Sequence, residues 1–212
     1  MLAANTLKQF LYSTKSIFSN PPYVSHTIRC ISGTPVAGNK IWNVYLSGEI
    51  HSDWREQIAK GIKSKNLPVI LSSPNTSHED SDDCGCIILG MEEERQNWDK
   101  LGANMNNIRT KTLIQEADVV VVRFGEKYRQ WNAAFDAGYA AALQKSIITL
   151  HPPSISHMLK EVNASASAVC THPYQVVDTL NYVITGNLPS KPFDGEEFVP
   201  IADRLGKGNP NP

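Results

Sequence analysis

The strongest constraint on the fold is the run Ala117-Asp118-Val119-Val120-Val121-Val122-Arg123-Phe124, which has consecutive valines at its centre. β-Branched residues favour strands, and an apolar run without alternating polar residues indicates a strand that is buried on both faces. Such strands occur in parallel sheets whose two faces are covered by helices. The valine run therefore predicts an α/β protein.

Other strands and helices are predicted to alternate along the chain around the valine run. The predicted strands lie at 41–46, 67–71 and 146–150, and the predicted helices lie at 53–65, 105–116, 130–143 and 174–184. Ser52 is placed to cap the first helix, and the polar run 72–83 predicts a long loop. This order predicts a single-domain, flavodoxin- or Rossmann-like three-layer sandwich with a parallel sheet of about five strands.

Composition divides the 212 residues into a central domain, 40–187, and two extensions. Residues 1–39 contain nine Ser or Thr and no Asp or Glu, a composition typical of a mitochondrial or other organellar transit peptide. An unstructured extension of a cytoplasmic protein is the alternative. Residues 188–212 hold five Pro and three Gly, too many for a packed element throughout. A Pro/Gly-rich C-terminal tail is therefore predicted.

Charge and hydropathy argue against two kinds of partner. The formal net charge is −1, whereas nucleic-acid binding requires clustered basic residues. Charges, Pro or Gly interrupt every apolar run before it reaches the ~20 residues of a membrane span. Four cysteines are too few for a disulfide scaffold in a chain of this length, which indicates a reducing compartment.

Residues 78–86 combine His, Cys and acidic side chains, which are residue types that bind zinc. Their spacing does not match that of a zinc finger, and the chain lacks a second cysteine pair of this kind. The segment is therefore interpreted as a solvated acidic loop. Neither a metal nor another cofactor is predicted.

Ligands of open parallel sheets bind beyond the carboxyl ends of the strands, so the candidate site is formed by the residues that follow each strand. A histidine there can donate a proton, although a lone histidine in a loop is more often a hydrogen-bonded surface group. The residues at this edge are Ser47, Gly48, Glu49 and His51 after the first strand, Gly125 and Glu126 after the valine strand, and His151 after the last.

Asp136 is the candidate nucleophile. It lies about two turns into the predicted helix 130–143, on one surface with Asn132 and Tyr139. The unpaired amides and the dipole at a helix N-terminus favour an ionised carboxylate, which is the form that attacks an electrophile. The alternative is that Asp136 only complements the helix dipole or caps a neighbouring loop.

The chain resembles a known family in four stretches: 44–56, 106–110, 124–132 and 132–140. The last contains Asn132-Ala133-Ala134-Phe135-Asp136-Ala137-Gly138-Tyr139-Ala140, which is similar to the signature of nucleoside 2-deoxyribosyltransferases. More closely, these stretches resemble the YtoQ family within that superfamily, and the resemblance covers most of residues 42–187. Long ungapped matches are more specific than a lone glycine motif.

The resemblance implies roles for several residues. The position of Asp136 is that of a glutamate which attacks C1′ of the deoxyribosyl group, and Tyr45 matches the tyrosine that positions it. Gln130 and Arg109 fall near two aspartates that contact the base. Glycosyl transfer generally uses a second carboxyl group, for which Glu49 and Glu126 are the candidates.

Arg109 in place of a carboxylate indicates an anionic substrate, such as a nucleotide, because a guanidinium matches phosphate or carboxylate geometry. The alternative is a salt bridge from Arg109 to Glu49 or Asp118. Trp131 and Tyr128 are candidates to stack on a base, although aromatic residues at a helix start more often pack in the core.

The resulting prediction is an enzyme acting at the N-glycosidic bond of a nucleoside or nucleotide, by transfer or hydrolysis, with Asp136 as nucleophile. A non-catalytic module that binds a nucleotide-like ligand is the alternative. The resemblance also implies a homo-oligomer. The predicted substrate-binding residues are Tyr45, Ser47, Gly48, His51, Arg109, Gly125, Gln130, Trp131 and Asn132.

Overall fold

The computed structural model describes residues 40–127 and 130–189, which form a sheet between two layers of helices. The strands are β1 (Trp42–Gly48), β2 (Val69–Ser72), β3 (Val119–Arg123), β4 (Ser146–Leu150) and β5 (Ala168–Cys170). The helices are α1 (Trp54–Ser64), α2 (His78–Leu89), α3 (Arg95–Glu116), α4 (Trp131–Ala142), α5 (Lys160–Ala164) and α6 (Pro173–Thr185), with a 3-10 helix at Pro153–Leu159. The predicted extension 1–39 and nearly all of the predicted tail lie outside the described residues.

All five strands are parallel and lie in the order β2-β1-β3-β4-β5. The sheet confirms the predicted three-layer α/β architecture, with the valine run as its central strand. Val119 and Val121 point to the core beneath α1 and α6, whereas Val120 and Val122 point to the core beneath α3 and α4. Burial on both faces explains why the valine run does not alternate with polar residues.

The prediction of a loop at 72–83 is wrong, because α2 begins within it at His78. The hydroxyl of Ser77 accepts a hydrogen bond from the backbone amide of Asp80, and acidic residues in the first turn complement the helix dipole. The sequence did not predict this helix because its large apolar residues are exposed, so they do not recur at the helical spacing that a buried face requires. The interpretation of 78–86 as a solvated acidic loop is therefore corrected to a helix.

Helix α3 begins at Arg95, ten residues before the predicted start at 105. Its N-terminal part packs against α2, where glycines allow close approach: a Cβ at Gly85 would lie 2.3 Å from the backbone carbon of Leu101. This part of α3 buries Gly102 rather than large apolar side chains, so it gives no helical hydrophobic periodicity. The sequence revealed only the C-terminal part, which packs on the sheet through Ile114.

The predicted cap of α1 is also wrong by one residue. Asp53 is the N-cap residue, and the hydroxyl of Ser52 instead donates to the carboxylate of Glu49. Among the described residues, no helix is both long enough and apolar enough to cross a bilayer.

Candidate functional site

A buried carboxylate lies beyond the carboxyl end of the central strands. Asp136 is on the face of α4 that packs on the sheet, and only 8% of its surface is exposed. The hydroxyl of Ser47, near the end of β1, donates to Oδ2 of Asp136 at 2.5 Å. The strand and the helix thus bring together two predicted site residues that are 89 positions apart in the chain.

Burial makes this carboxyl group a weaker acid than an exposed aspartate. Loss of solvation raises the pKa of Asp136 from 3.8 to about 6, while the hydrogen bond from Ser47 acts in the opposite direction. Asp136 is therefore mostly ionised at neutral pH and poorly hydrated. An ionised, desolvated carboxylate suits nucleophilic attack on an electrophilic carbon.

Tyr45 precedes Ser47 by two residues and so points to the same face of the sheet. Its hydroxyl lies 3.5 Å from Oγ1 of Thr110 on α3. Burial raises the pKa of Tyr45 to about 12, with the charge of Asp136 acting in the same direction and those of Arg55 and Arg109 opposing it. The phenol is therefore protonated at neutral pH, and its hydroxyl donates to Thr110.

The turn between β1 and α1 lies at the carboxyl edge of the sheet, beside Ser47. Gly48 has φ +116°, and a Cβ there would lie 2.1 Å from the carbonyl oxygen of Arg123. The guanidinium of Arg55 donates to the carbonyl oxygens of Leu46, Gly48 and Glu49, and so fixes the turn. Sequence reasoning did not single out Arg55, because its hydrogen-bond partners are all backbone atoms.

The carboxylate of Glu49 is hydrogen-bonded to other residues of this turn. It accepts hydrogen bonds from the Ser52 hydroxyl and the His51 amide, and Nε of Arg123 lies 3.8 Å from Oε1. Burial acts to raise the pKa of Glu49, but these hydrogen bonds and the charge of Arg123 outweigh it and lower the pKa. Glu49 is held ionised, which disfavours it as a proton donor.

The loop between β3 and α4 is closed by the side chain of Gln130. Its amide oxygen accepts from the Gly125 amide at 2.8 Å, and its nitrogen donates to the carbonyl oxygen of Lys127 at 2.7 Å. The exposed Glu126 accepts a hydrogen bond from Ser154 at 2.6 Å. Of the two predicted acids, Glu126 is therefore the one accessible to solvent.

Three further predicted residues lie at the exposed surface of this edge. The side chains of His51, Trp131 and Asn132 are exposed, and Trp131 keeps 69% of its surface accessible. The alternative of core packing is therefore wrong for Trp131. Tyr128 lies outside the described residues.

Arg109 borders a cleft of about 460 Å³ between α3, α2 and the segment after β2. Its guanidinium donates to the Ser73 carbonyl oxygen at 3.3 Å. The alternative salt bridge is absent from the described residues, because Asp118 pairs with Lys40 and Glu49 with Arg123. Other residues that line the cleft are Asn75, Thr76, Ile88, Met105 and Asn106.

A buried polar group at the end of β4 was only partly anticipated. His151 is 1% exposed; its Nδ1 lies 2.9 Å from the Pro152 carbonyl oxygen and its Nε2 lies 3.1 Å from Oδ1 of Asn163. Asn163 also accepts from the hydroxyl of Thr149. The sequence placed His151 at the edge but gave no sign of Asn163, which a separate helix supplies.

Comparison with known proteins gives one family. The family model described as nucleoside 2-deoxyribosyltransferase YtoQ matches residues 45–184. The "Uncharacterized protein YtoQ" of Bacillus subtilis (strain 168) is 41% identical over 140 residues, which are 66% of this chain and 95% of that protein.

Solved structures of other proteins are similar at lower identity. Three of them are a 2-deoxyribosyltransferase from Bacillus psychrosaccharolyticus (17% identity, 65% of this chain and 95% of that one, TM-score 0.42), a conserved protein from Enterococcus faecalis V583 (12%, 68% and 99%, 0.47) and the CMP N-glycosidase BcmB of Clostridium botulinum (14%, 66% and 98%, 0.38).

Proposed function

From the premise that this chain belongs to the nucleoside 2-deoxyribosyltransferase YtoQ family, we propose that it cleaves the N-glycosidic bond of a nucleoside or nucleoside monophosphate. Asp136 is the nucleophile. The observation that carries this proposal is a buried carboxylate, held by Ser47 and with a pKa of about 6, at the carboxyl edge of a parallel sheet.

In the proposed reaction an oxygen of Asp136 forms a bond to C1′ of the sugar as the bond from C1′ to the base nitrogen breaks. The base leaves with the electron pair of that bond and takes up a proton. Water or a second base then attacks C1′, gives up a proton to the group that protonated the leaving base, and releases the carboxylate of Asp136. Water completes a hydrolysis, and a second base completes a transfer.

The leaving base needs a proton donor at the open side of the site. Glu126 is the proposed donor, because it is exposed and lies in the loop that precedes α4. Glu49 is better suited to hold the β1–α1 turn, since its carboxylate is hydrogen-bonded and its pKa is lowered. Tyr45, with a protonated phenol, is proposed to orient the sugar.

The proposed substrate carries an anionic group that Arg109 binds. The cleft bordered by Arg109 offers amide and hydroxyl groups from Asn75, Thr76 and Asn106, with Met105 as an apolar surface. A cleft of about 460 Å³ falls within the range of small-molecule sites, roughly 300–1,000 Å³. Trp131 is proposed to cover a bound base by stacking.

We also propose that the protein forms a homo-oligomer. Large apolar side chains are exposed on α2, α3 and α4 and on the connection between α2 and α3, including Ile88, Met91, Ile108, Trp131 and Phe135. Exposed apolar surfaces of this kind mark interfaces between proteins. Light scattering that gives the mass of a monomer would contradict this part of the proposal.

A second candidate function is a module that binds a nucleotide-like ligand without cleaving it. It is favoured by the engagement of both candidate acids: Glu49 with Ser52 and His51, and Glu126 with Ser154. In that case a ligand raises the melting temperature while no free base is produced.

The test is incubation of the full chain with nucleosides and 5′-monophosphates, with and without an acceptor base, followed by chromatography of free and exchanged base. We expect release or exchange by the wild type and its loss in Asp136→Asn, which keeps the shape of the side chain. Asp178→Asn is the matched control, because Asp178 pairs with Lys65 on the other side of the sheet. Full activity of Asp136→Asn would overturn the assignment of the nucleophile.

A further inference from the structure

The two carboxylate oxygens of Asp136 have different surroundings. Oδ2 accepts the hydrogen bond from Ser47 at 2.5 Å. Oδ1 accepts no hydrogen bond from any residue that the structure describes. It is also not fully buried, since Arg123 Nε is the side-chain atom in the described residues that is both buried and without a hydrogen-bond partner. One oxygen is therefore held by the protein, and the other is left for a ligand.

The length of the bond is that of a hydroxyl bound to a charged acceptor, for which distances of roughly 2.5–2.7 Å are typical. Ser47 is 1% exposed, so water does not compete with Asp136 for its hydroxyl. The single proton of this hydroxyl is thus committed to Asp136, and Ser47 has no second proton to donate to a substrate.

Ser47 is held by a rigid part of the sheet. It pairs with Val122 of β3 in the parallel ladder, and the next residue, Gly48, is packed directly against the backbone of Arg123. A hydrogen-bond donor on a central strand is positioned more accurately than one on a loop. The hydrogen bond from Ser47 therefore holds the carboxylate of Asp136 in a defined position.

We propose that Ser47 is the positioning residue of Asp136: its hydroxyl fixes Oδ2, directs Oδ1 toward the substrate and stabilises the ionised carboxylate. Its role in catalysis rests on the proposed function, but the contact itself can be tested without a substrate. The expected consequence for the isolated protein is that loss of the hydroxyl raises the pKa of Asp136 further, because burial then acts unopposed.

The neighbouring elements also turn titratable groups toward this face of the sheet. They are Tyr45 on β1, Arg55 on α1, Arg109 and Lys111 on α3, Tyr139 on α4 and His151 after β4. Strand β3 presents only the apolar Val120 and Val122 there. None of these groups is itself removed by a substitution at Ser47, so a shift that appears in Ser47→Ala and not in Ser47→Thr reports the hydroxyl.

The first experiment follows the carboxyl carbon of Asp136 by NMR in full-length protein labelled with ¹³C-aspartate, the signal being identified by its loss in Asp136→Asn. We expect a titration midpoint near 6 in the wild type. In Ser47→Ala the midpoint should rise by on the order of one pH unit, and Ser47→Thr, which keeps the hydroxyl, should restore most of the difference.

Thr149→Val is the matched control. Thr149 lies in the same row of the sheet as Ser47, since both pair with Val122, and its buried hydroxyl binds Asn163 instead. We expect the midpoint of Asp136 to stay unchanged in this variant. An unchanged midpoint in Ser47→Ala, or an equal shift in Thr149→Val, would overturn the proposal.

The second experiment uses activity against pH. A rise of one unit from about 6 reduces the ionised fraction about tenfold at pH 5 but only about twofold at pH 7. Cleavage by Ser47→Ala should therefore fall most at acidic pH and approach the wild-type rate at alkaline pH, apart from a constant loss from misorientation. A loss that is the same at every pH would contradict the role of Ser47 in keeping Asp136 ionised.

The two proposals fail in different ways. If the midpoint shifts as expected while the wild type cleaves no substrate, the proposed function is wrong and the positioning of Asp136 by Ser47 stands. If the wild type cleaves a substrate and Ser47→Ala titrates and reacts as the wild type does, the proposed function stands and this inference is wrong.

Discussion

Gly48 and Arg123 are packed so closely that a Cβ on Gly48 would lie 2.1 Å from the carbonyl oxygen of Arg123 and 2.7 Å from its nitrogen. Both residues end their strands, β1 and β3, and they pair in register. Backbone therefore meets backbone at the point where the chain turns from Ser47 toward α1. This contact fixes the direction of the turn that carries Glu49.

Gly48→Ala should destabilise the fold strongly, by more than about 3 kcal/mol, because the backbone of a central strand cannot move away from the added methyl group. Gly90→Ala is the control. Gly90 has the same φ of +116°, but a Cβ there would meet nothing within 4 Å, so only the cost of the backbone conformation, about 1–3 kcal/mol, is expected. Urea denaturation measures both; equal losses would show that the contact with Arg123 is unimportant.

Asp136→Asn should stabilise the protein at neutral pH. The pKa of Asp136 in the folded state, about 6, is above 3.8, so the folded state binds the proton more tightly and loses stability as the pH rises from about 4 to about 6. The penalty at pH 7 is on the order of 3 kcal/mol. We expect the variant to recover about 1–2 kcal/mol, a rise in melting temperature of roughly 2–8 °C.

That gain should disappear at pH 4, where Asp136 is protonated in the folded state. The control Asp178→Asn, which breaks a partly exposed ion pair with Lys65, should not stabilise the protein at any pH. A gain for Asp136→Asn that persists unchanged at pH 4 would show that charge burial is not its cause.

Glu49→Gln should have the opposite dependence on pH. The pKa of Glu49 is lowered below 4.5 by its hydrogen bonds and by Arg123, which outweigh burial, so its ionised form adds stability above that value and the contribution is lost as the pH falls. We expect a melting temperature a few degrees below that of the wild type at pH 7. The difference should narrow below about pH 4; a constant difference down to pH 3 would exclude the charge as the cause.

Arg109→Ala should raise KM for a nucleoside monophosphate by about 10- to 100-fold, the equivalent of a hydrogen bond to a charged group. The KM for the corresponding nucleoside should change much less. Arg95→Ala is the control, since Arg95 is an exposed residue of the same helix and pairs with Asp99. If both substrates are affected equally, Arg109 does not bind the phosphate.

The sequence was informative wherever burial leaves a pattern. The valine run predicted β3 because both of its faces are buried, and 146–150 gave β4 with the correct bounds. The amphipathic C-terminal part of α3 was found, whereas its N-terminal part, packed through Gly85 and Gly102, was not. Where two helices pack through glycines, the buried positions carry no large apolar side chains, so the sequence shows no hydrophobic periodicity there.

The candidate site was likewise predicted in part. The order of strands and helices placed Asp136 and Ser47 at one edge of the sheet, because the carboxyl ends of parallel strands always meet there. It did not reveal that Ser47 binds Asp136 or that Glu49 is occupied by Ser52. Such pairings depend on side-chain directions across 89 residues of chain, and no local pattern encodes them.

Strand β1 lies between β2 and β3, yet its two neighbours are made at very different times during synthesis. β2 follows β1 after about twenty residues, whereas β3 begins only at Val119. Until then the growing chain exposes one side of a strand that contains Val44, Tyr45 and Leu46, and an unpaired apolar edge of this kind recruits other strands. A nascent chain stalled before Val119 should therefore depend on chaperones, although the finished protein has this edge fully paired.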